Sequence, residues 1–233
     1  MIYRVRRARI CQGGPVTEPT PRVVVRGETT LRVRPSHATL SITATARDRR
    51  RDRALALVGE VQASVAALLA EHAALVTRSS TAAVSVHPEQ AERNRVTGYR
   101  ASVTTQVRLD DVDRVGEVAV AAAALDGCSL WGPSWRLDRD DPAHAQARTE
   151  AIGEALSRAR GYAQAVGSRV TALVELRDVG TGAAVPMMMA ASARGARAGA
   201  AALPELELEP ALQEVHGAVE AVFLISAPDL EEL

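Results

Sequence analysis

Residues 96–109 alternate with almost no break: Tyr99, Ala101, Val103, Thr105, Val107 and Leu109 fall on one side, and Arg100, Ser102, Thr104, Gln106 and Arg108 on the other. Side chains of a strand point to opposite faces in turn, so this segment is one strand with a core face and a wet face. A lone strand cannot bury its apolar side. The segments around it must therefore supply partner strands and something to cover the sheet.

They do so in a definite order. Residues 23–34 alternate, with Val23, Val25, Leu31 and Val33 against Arg26, Glu28, Arg32 and Arg34; Gly27 interrupts the run as a bulge or bend. After Pro35-Ser36, Ala38, Leu40, Ile42, Ala44 and Ala46 alternate with Thr39, Ser41, Thr43 and Thr45, so the two runs are expected to form a hairpin. From Arg49 the period changes. Ala54, Leu57, Val58, Val61, Val65, Leu68 and Leu69 make one helical stripe, opened by the cationic run 49–53, whose charges oppose the helix dipole. A strand is expected around 81–87 with Ala82, Val84 and Val86 inward, then a polar loop from His87-Pro88 to Arg95. Beyond the 96–109 strand, Asp110 or Asp111 should cap a helix with the stripe Val112, Val115, Val118, Ala122 and Leu125. Residues 128–137 read as a strand broken by Gly132-Pro133. Asp140-Asp141-Pro142 then starts a helix running through Ile152, Leu156, Ala159, Ala163 and Val166. Strands are expected at 170–176, with Val170, Ala172, Val174 and Leu176 on one face, and at 214–226.

From 38 to 137 this is strand-helix-strand-strand-helix-strand, the split βαβ order of a ferredoxin-like sandwich. The expected fold is α+β: a mostly antiparallel sheet with helices on one face, a βαββαβ core, and an extra helix and two strands. Residues 1–21 and 227–233 are expected to be tails. Within the 22–226 domain, residues 180–204 are expected to be a mobile loop, being rich in Gly, Ala and Met without periodicity.

Acidic and basic residues balance at 28 each, so no global field favours nucleic acid or an anionic membrane. All the basic residues are Arg. The arginines near the start are followed by no apolar run of the roughly 7–15 residues a signal peptide needs. Nor does any segment reach the ~18 apolar residues of a membrane span. The chain as written is expected in the cytoplasm, or exported if its start is misassigned. Cys11 and Cys128 decide nothing about redox compartment.

Chemistry-bearing residues are scattered. His37, His72, His87, His144 and His216 form no i, i+4 pair and no zinc-protease motif. Phosphate loop, dinucleotide fingerprint and nucleophile elbow are all missing from the sequence. Cys128 follows a helix where nothing lowers its pKa. Asp138, Asp140 and Asp141 could attract a cation or simply cap and solvate. Trp131 and Trp135 suit core or interface, and Tyr99 suits packing with a bonded hydroxyl. No catalytic, cofactor-binding or metal residues are expected, and no cofactor. Met187, Met188, Met189, Arg194 and Arg197 form the candidate interaction loop, because unbranched methionines adapt to a partner surface.

The chain resembles the SIMPL-domain family, through 25–28 (Val-Arg-Gly-Glu), Arg34-Pro35 with the 38–42 strand, the 96–101 signature, the spaced alanines from Ala147 through Ala151 and Ala163 to Gly167, and the 215–225 strand. The resemblance spans 22–226 and supplies no catalytic residues. It implies exported bacterial relatives, some tied to oxidative-stress defence, and at least one many-subunit assembly. The function it implies here is non-enzymatic self-association, with stress defence as a setting. A monomeric protein-binding adaptor is the alternative, and an enzyme of unknown chemistry a third. Expected partners are copies of the chain or another protein, with no nucleic acid and no transmembrane segment.

Overall fold

The computed structural model describes residues 20–91, 95–179, 206 and 208–230. Strands β1 (Arg22–Val33), β2 (His37–Asp48), β3 (Val76–Ala91), β4 (Arg95–Leu109), β5 (Cys128–Arg136), β6 (Val170–Asp178) and β7 (Gln213–Ile225) alternate with helices α1 (Arg51–Glu71), α2 (Val115–Ala123) and α3 (Pro142–Ala165). The α+β class and the βαββαβ order hold. The strands form two antiparallel sheets, of order β3-β4-β2-β5 and β1-β7-β6. Two compact units result: 30–148 with 206 and 208–217, and 20–29 with 149–179 and 218–230.

In the first unit, β2 pairs antiparallel with both β4 (Leu40 opposite Val107, Ala44 opposite Val103) and β5. That corrects the β1–β2 hairpin: both edges of β2 are taken, so β1 pairs with β7 instead. Helices α1 and α2 cover one face, where Leu40, Ile42, Val65, Val107, Leu109, Val115 and Val118 are fully buried. The alternation of β4 survives: Ala101, Thr105, Val107 and Leu109 are buried, Tyr99 and Val103 half-buried, Arg100 exposed. Thr105 is tolerated inside because Gln62 Nε2 donates to its hydroxyl at 3.0 Å.

Strand β3 departs further from expectation. It runs on through His87-Pro88, where a loop was expected, and it is an edge strand, the place where a proline costs no internal ladder bond. Its register slips at three points. Ala82 falls at the slip between Thr81 and Ala83 and is exposed; Val84, opposite Val103, shares the face of Val86 but is exposed as well, so only Val86 packs on the core. Helix α1 is long and apolar enough to cross a membrane by length and composition alone; it seats Ala54, Val58, Val65 and Leu68 in the core. The expected Asp110 or Asp111 cap is not made: Asp111 sits at the N-cap of a short 3-10 turn (Val112–Arg114) without a side-chain bond, and Asp110 receives Arg108.

In the second unit, α3 packs on β1 and β7 through alanines four residues apart. Ala151, Ala155 and Ala159 are fully buried against Val25, Val219, Ala221 and Phe223. Ala143 and Ala147 continue the ladder in the first unit, against Val215. The expected stripe through Ile152 and Leu156 lies one position off: Ile152 is exposed and Leu156 only flanks the cluster. The reason is close approach. A methyl group on Gly27 would stand 2.0 Å from the Ala151 carbonyl oxygen, and one on Gly217 2.3 Å from that of Ala147. Helix and sheet backbones meet there, and only alanine fits between them.

Candidate interaction surfaces

One partly exposed polar cluster, with only His37 buried, lies in the first unit, where the turn before β2, the end of β4 and the start of α3 converge. Arg108 donates to both carboxylate oxygens of Asp138, at 3.0 and 2.8 Å, and to Asp110 at 2.7 Å. Its guanidinium holds the Asp138 carboxyl below the usual range. His37, only 8% exposed, sets its Nδ1 3.3 Å from Asp138 Oδ1 without a hydrogen bond. Burial, then the charge of Arg108, lower the pKa of His37. The Ser36 hydroxyl donates to Asp141 at 2.9 Å and accepts from the Asp138 amide at 3.2 Å. Asp141 also accepts from the Ala143 amide at 2.9 Å, so the expected cap at the start of α3 forms.

Serine, histidine and aspartate are thus neighbours without a relay. The Ser36 hydroxyl faces the Asp141 carboxylate and not an imidazole. The carboxylates of Asp138 and Asp141 are engaged with Arg108, Ser36 and the Ala143 amide, and no group of three metal-capable side chains occurs among the described residues. The cluster ties three segments together. His72 behaves similarly, its Nδ1 lying 3.0 Å from the Leu68 carbonyl at the end of α1. Cys128 is a half-buried free thiol whose pKa is raised by burial. Trp135 packs on the core while Trp131 is 61% exposed.

The sheet edges are of another kind. Among the described residues, each sheet ends in strands with one neighbour. On β3, residues 79–87 carry no acidic or basic side chain apart from His87, and Val84 is 63% exposed. On β6 every residue after Val170 is exposed, including Leu173 at 52%, Val174 at 55% and Leu176 at 43%. Soluble proteins usually blunt such edges with charge, proline or a covering element. Leu173 pairs opposite Phe223 and Leu176 opposite Ala221, so both lie on the side of the sheet that α3 covers. The helix packs over β1 and β7 and leaves these two leucines bare.

The sequence reading placed β6 correctly and missed its exposure. The signal was present: Ala172, Leu173 and Val174 are consecutive apolar residues, which breaks alternation and puts apolar surface on both faces. A register slip between Leu173 and Glu175 is the structural form of that break. Met187, Met188, Met189, Arg194 and Arg197, the candidate contact loop, lie outside the described residues, as do residues 1–19, including Cys11, and 231–233 of the tails.

A family model described as SIMPL, protein of unknown function (DUF541), matches residues 23–223. Comparison with curated proteins returns no match. Among solved structures, a hydantoinase/carbamoylase family amidase from Burkholderia ambifaria is similar at 18% identity and a TM-score of 0.27, over 53% of this chain and 35% of its own. The chain spans only that minor share of the amidase, and so slight an overlap carries no argument about fold or activity.

Proposed function

Because the chain belongs to the SIMPL family, we propose that it works by associating with copies of itself and not by catalysing a reaction. One observation carries this reading: β6 presents Leu173, Val174 and Leu176, each roughly half exposed, on the unpaired edge of a sheet. Burying such side chains yields about 25 cal/mol for each Å² of apolar surface removed from water. An added strand also satisfies the backbone groups along the edge. The uncharged, exposed run of β3 supplies a second edge of the same kind. The polar cluster, by contrast, has the Ser36 hydroxyl bound to Asp141 and the Asp138 carboxylate bound to Arg108.

Light scattering on the purified full chain tests the proposal. A particle mass that is a multiple of 24.7 kDa is the expected result. A strict monomer that retains one defined protein partner would favour the adaptor reading, in which a different chain adds to the same edge. The link to oxidative-stress defence is a separate proposal. It predicts that cells lacking the protein survive peroxide less well than cells carrying it.

A further inference from the structure

We propose that two copies of this chain join through β6, antiparallel about an axis near Leu176, to make one six-stranded sheet ordered β1-β7-β6-β6-β7-β1. This rests on the self-association reading and assigns the surface and the register to it. Two observations lead to it.

The first is the position of α3. Its alanine ladder is seated on β1 and β7, and Gly27 fixes that seat because helix and strand backbones touch there. The helix therefore cannot shift sideways to shelter Leu173 and Leu176, which project from the same side of the sheet. A second copy related by an axis perpendicular to the sheet keeps its own α3 on that side. The two leucine pairs then fill the trough between the two helices, and each copy supplies the cover the other lacks.

The second observation is charge. Glu175 and Arg177 share the outer face, opposite Val222 and Glu220, and form an ion pair within the chain. Antiparallel pairing about Leu176 sets Glu175 against the partner's Arg177 and Arg177 against the partner's Glu175. Parallel pairing in register would set like against like, which is unfavourable for directly opposed residues.

The test uses the full chain. Glu175→Arg places two arginine pairs across the axis and should weaken dimerisation about tenfold or more. The double variant Glu175→Arg/Arg177→Glu restores opposite charges and should return the wild-type mass. Both positions are exposed, and circular dichroism confirms that each variant folds. In a separate Cys11→Ser/Cys128→Ser background, Leu176→Cys should form a disulfide-linked dimer on mild oxidation, since directly opposed residues of an antiparallel pair lie within disulfide reach. Leu55→Cys, on the exposed side of α1, should not. A wild-type chain that assembles while Glu175→Arg keeps its mass, the charge swap fails to rescue, or Leu176→Cys fails to cross-link overturns the β6 assignment and leaves self-association standing. A wild-type chain that is monomeric at every concentration overturns both.

Discussion

The contact between α3 and β1 makes Gly27→Ala a severe substitution for a change of one methyl group. The added carbon would lie 2.0 Å from the Ala151 carbonyl oxygen, 2.6 Å from the Ala155 nitrogen and 2.8 Å from the Ala155 Cβ. Two of those neighbours are helix backbone and cannot swing aside. To bring the shortest contact out to 3.0 Å, the helix must retreat by about 1 Å from the strand. A gap of that size forfeits roughly a quarter to a half of the dispersion energy of each contact it opens. The contacts affected are those of Ala151 and Ala155 with Val25, Ala221 and their neighbours. Overpacking costs about 1–3 kcal/mol where side chains can adjust, so backbone against backbone should cost ~3 kcal/mol or more. For a chain of this length that lowers Tm by about 6–12 °C. Gly153→Ala is the matched control, because a Cβ there meets nothing within 4 Å. It should raise helix stability by about 1 kcal/mol. Urea denaturation of the two variants beside the wild type measures both. If Gly27→Ala unfolds within ~0.5 kcal/mol of the wild type, the close approach of α3 to β1 is wrong.

Other predictions concern the first unit. Val107, fully buried on β4, should cost about 1–3 kcal/mol when replaced by Ala. Gln106→Ala, its exposed neighbour, should change the urea midpoint by no more than ~0.5 kcal/mol. Burial lowers the pKa of His37 from 6.5, so as pH falls below that value the unfolded chain takes up a proton that the folded chain refuses. Stability from this group is fully present above 6.5 and is lost as pH falls toward the folded pKa. Asp138 acts in the same direction below its ordinary value of 3.8, through the hydrogen bonds from Arg108. Thermal melts of His37→Phe between pH 7 and 5 should show a shallower fall in Tm than the wild type. An unchanged slope would refute the role given to His37.

What could be read from the sequence was what repeats locally. Strand β4 was legible because it lies inside its sheet without a bulge on the side of β2, so period two runs unbroken along Leu40–Val107 and Ala44–Val103. The βαββαβ order followed from changes of period along the chain. Strand β3 was misjudged because Val84 and Val86 do share a face but the core reaches only Val86, while the slip between Thr81 and Ala83 takes Ala82 out of the alternation. The stripe of α3 was drawn through Ile152 and Leu156 as well as Ala159 and Ala163, of which only the two alanines are fully buried. The buried side belongs to smaller ones, because Gly27 and Gly217, far away in sequence, bring the sheet too close for anything else. The β1–β2 hairpin failed for a related reason: β2 gives its edges to β4 and β5, and adjacency in sequence does not decide which strand wins an edge. The exposed β6 was hidden because a strand's pattern tells which faces are apolar, but not whether a helix reaches far enough to cover them.

Hydrogen exchange along β6 tests the account most directly. Amides of 174–178 should exchange faster when the protein is dilute and slow several-fold as concentration rises, while those of 37–48, in the interior strand β2, should stay protected throughout. Exchange in 174–178 that is the same at every concentration would contradict association through this edge.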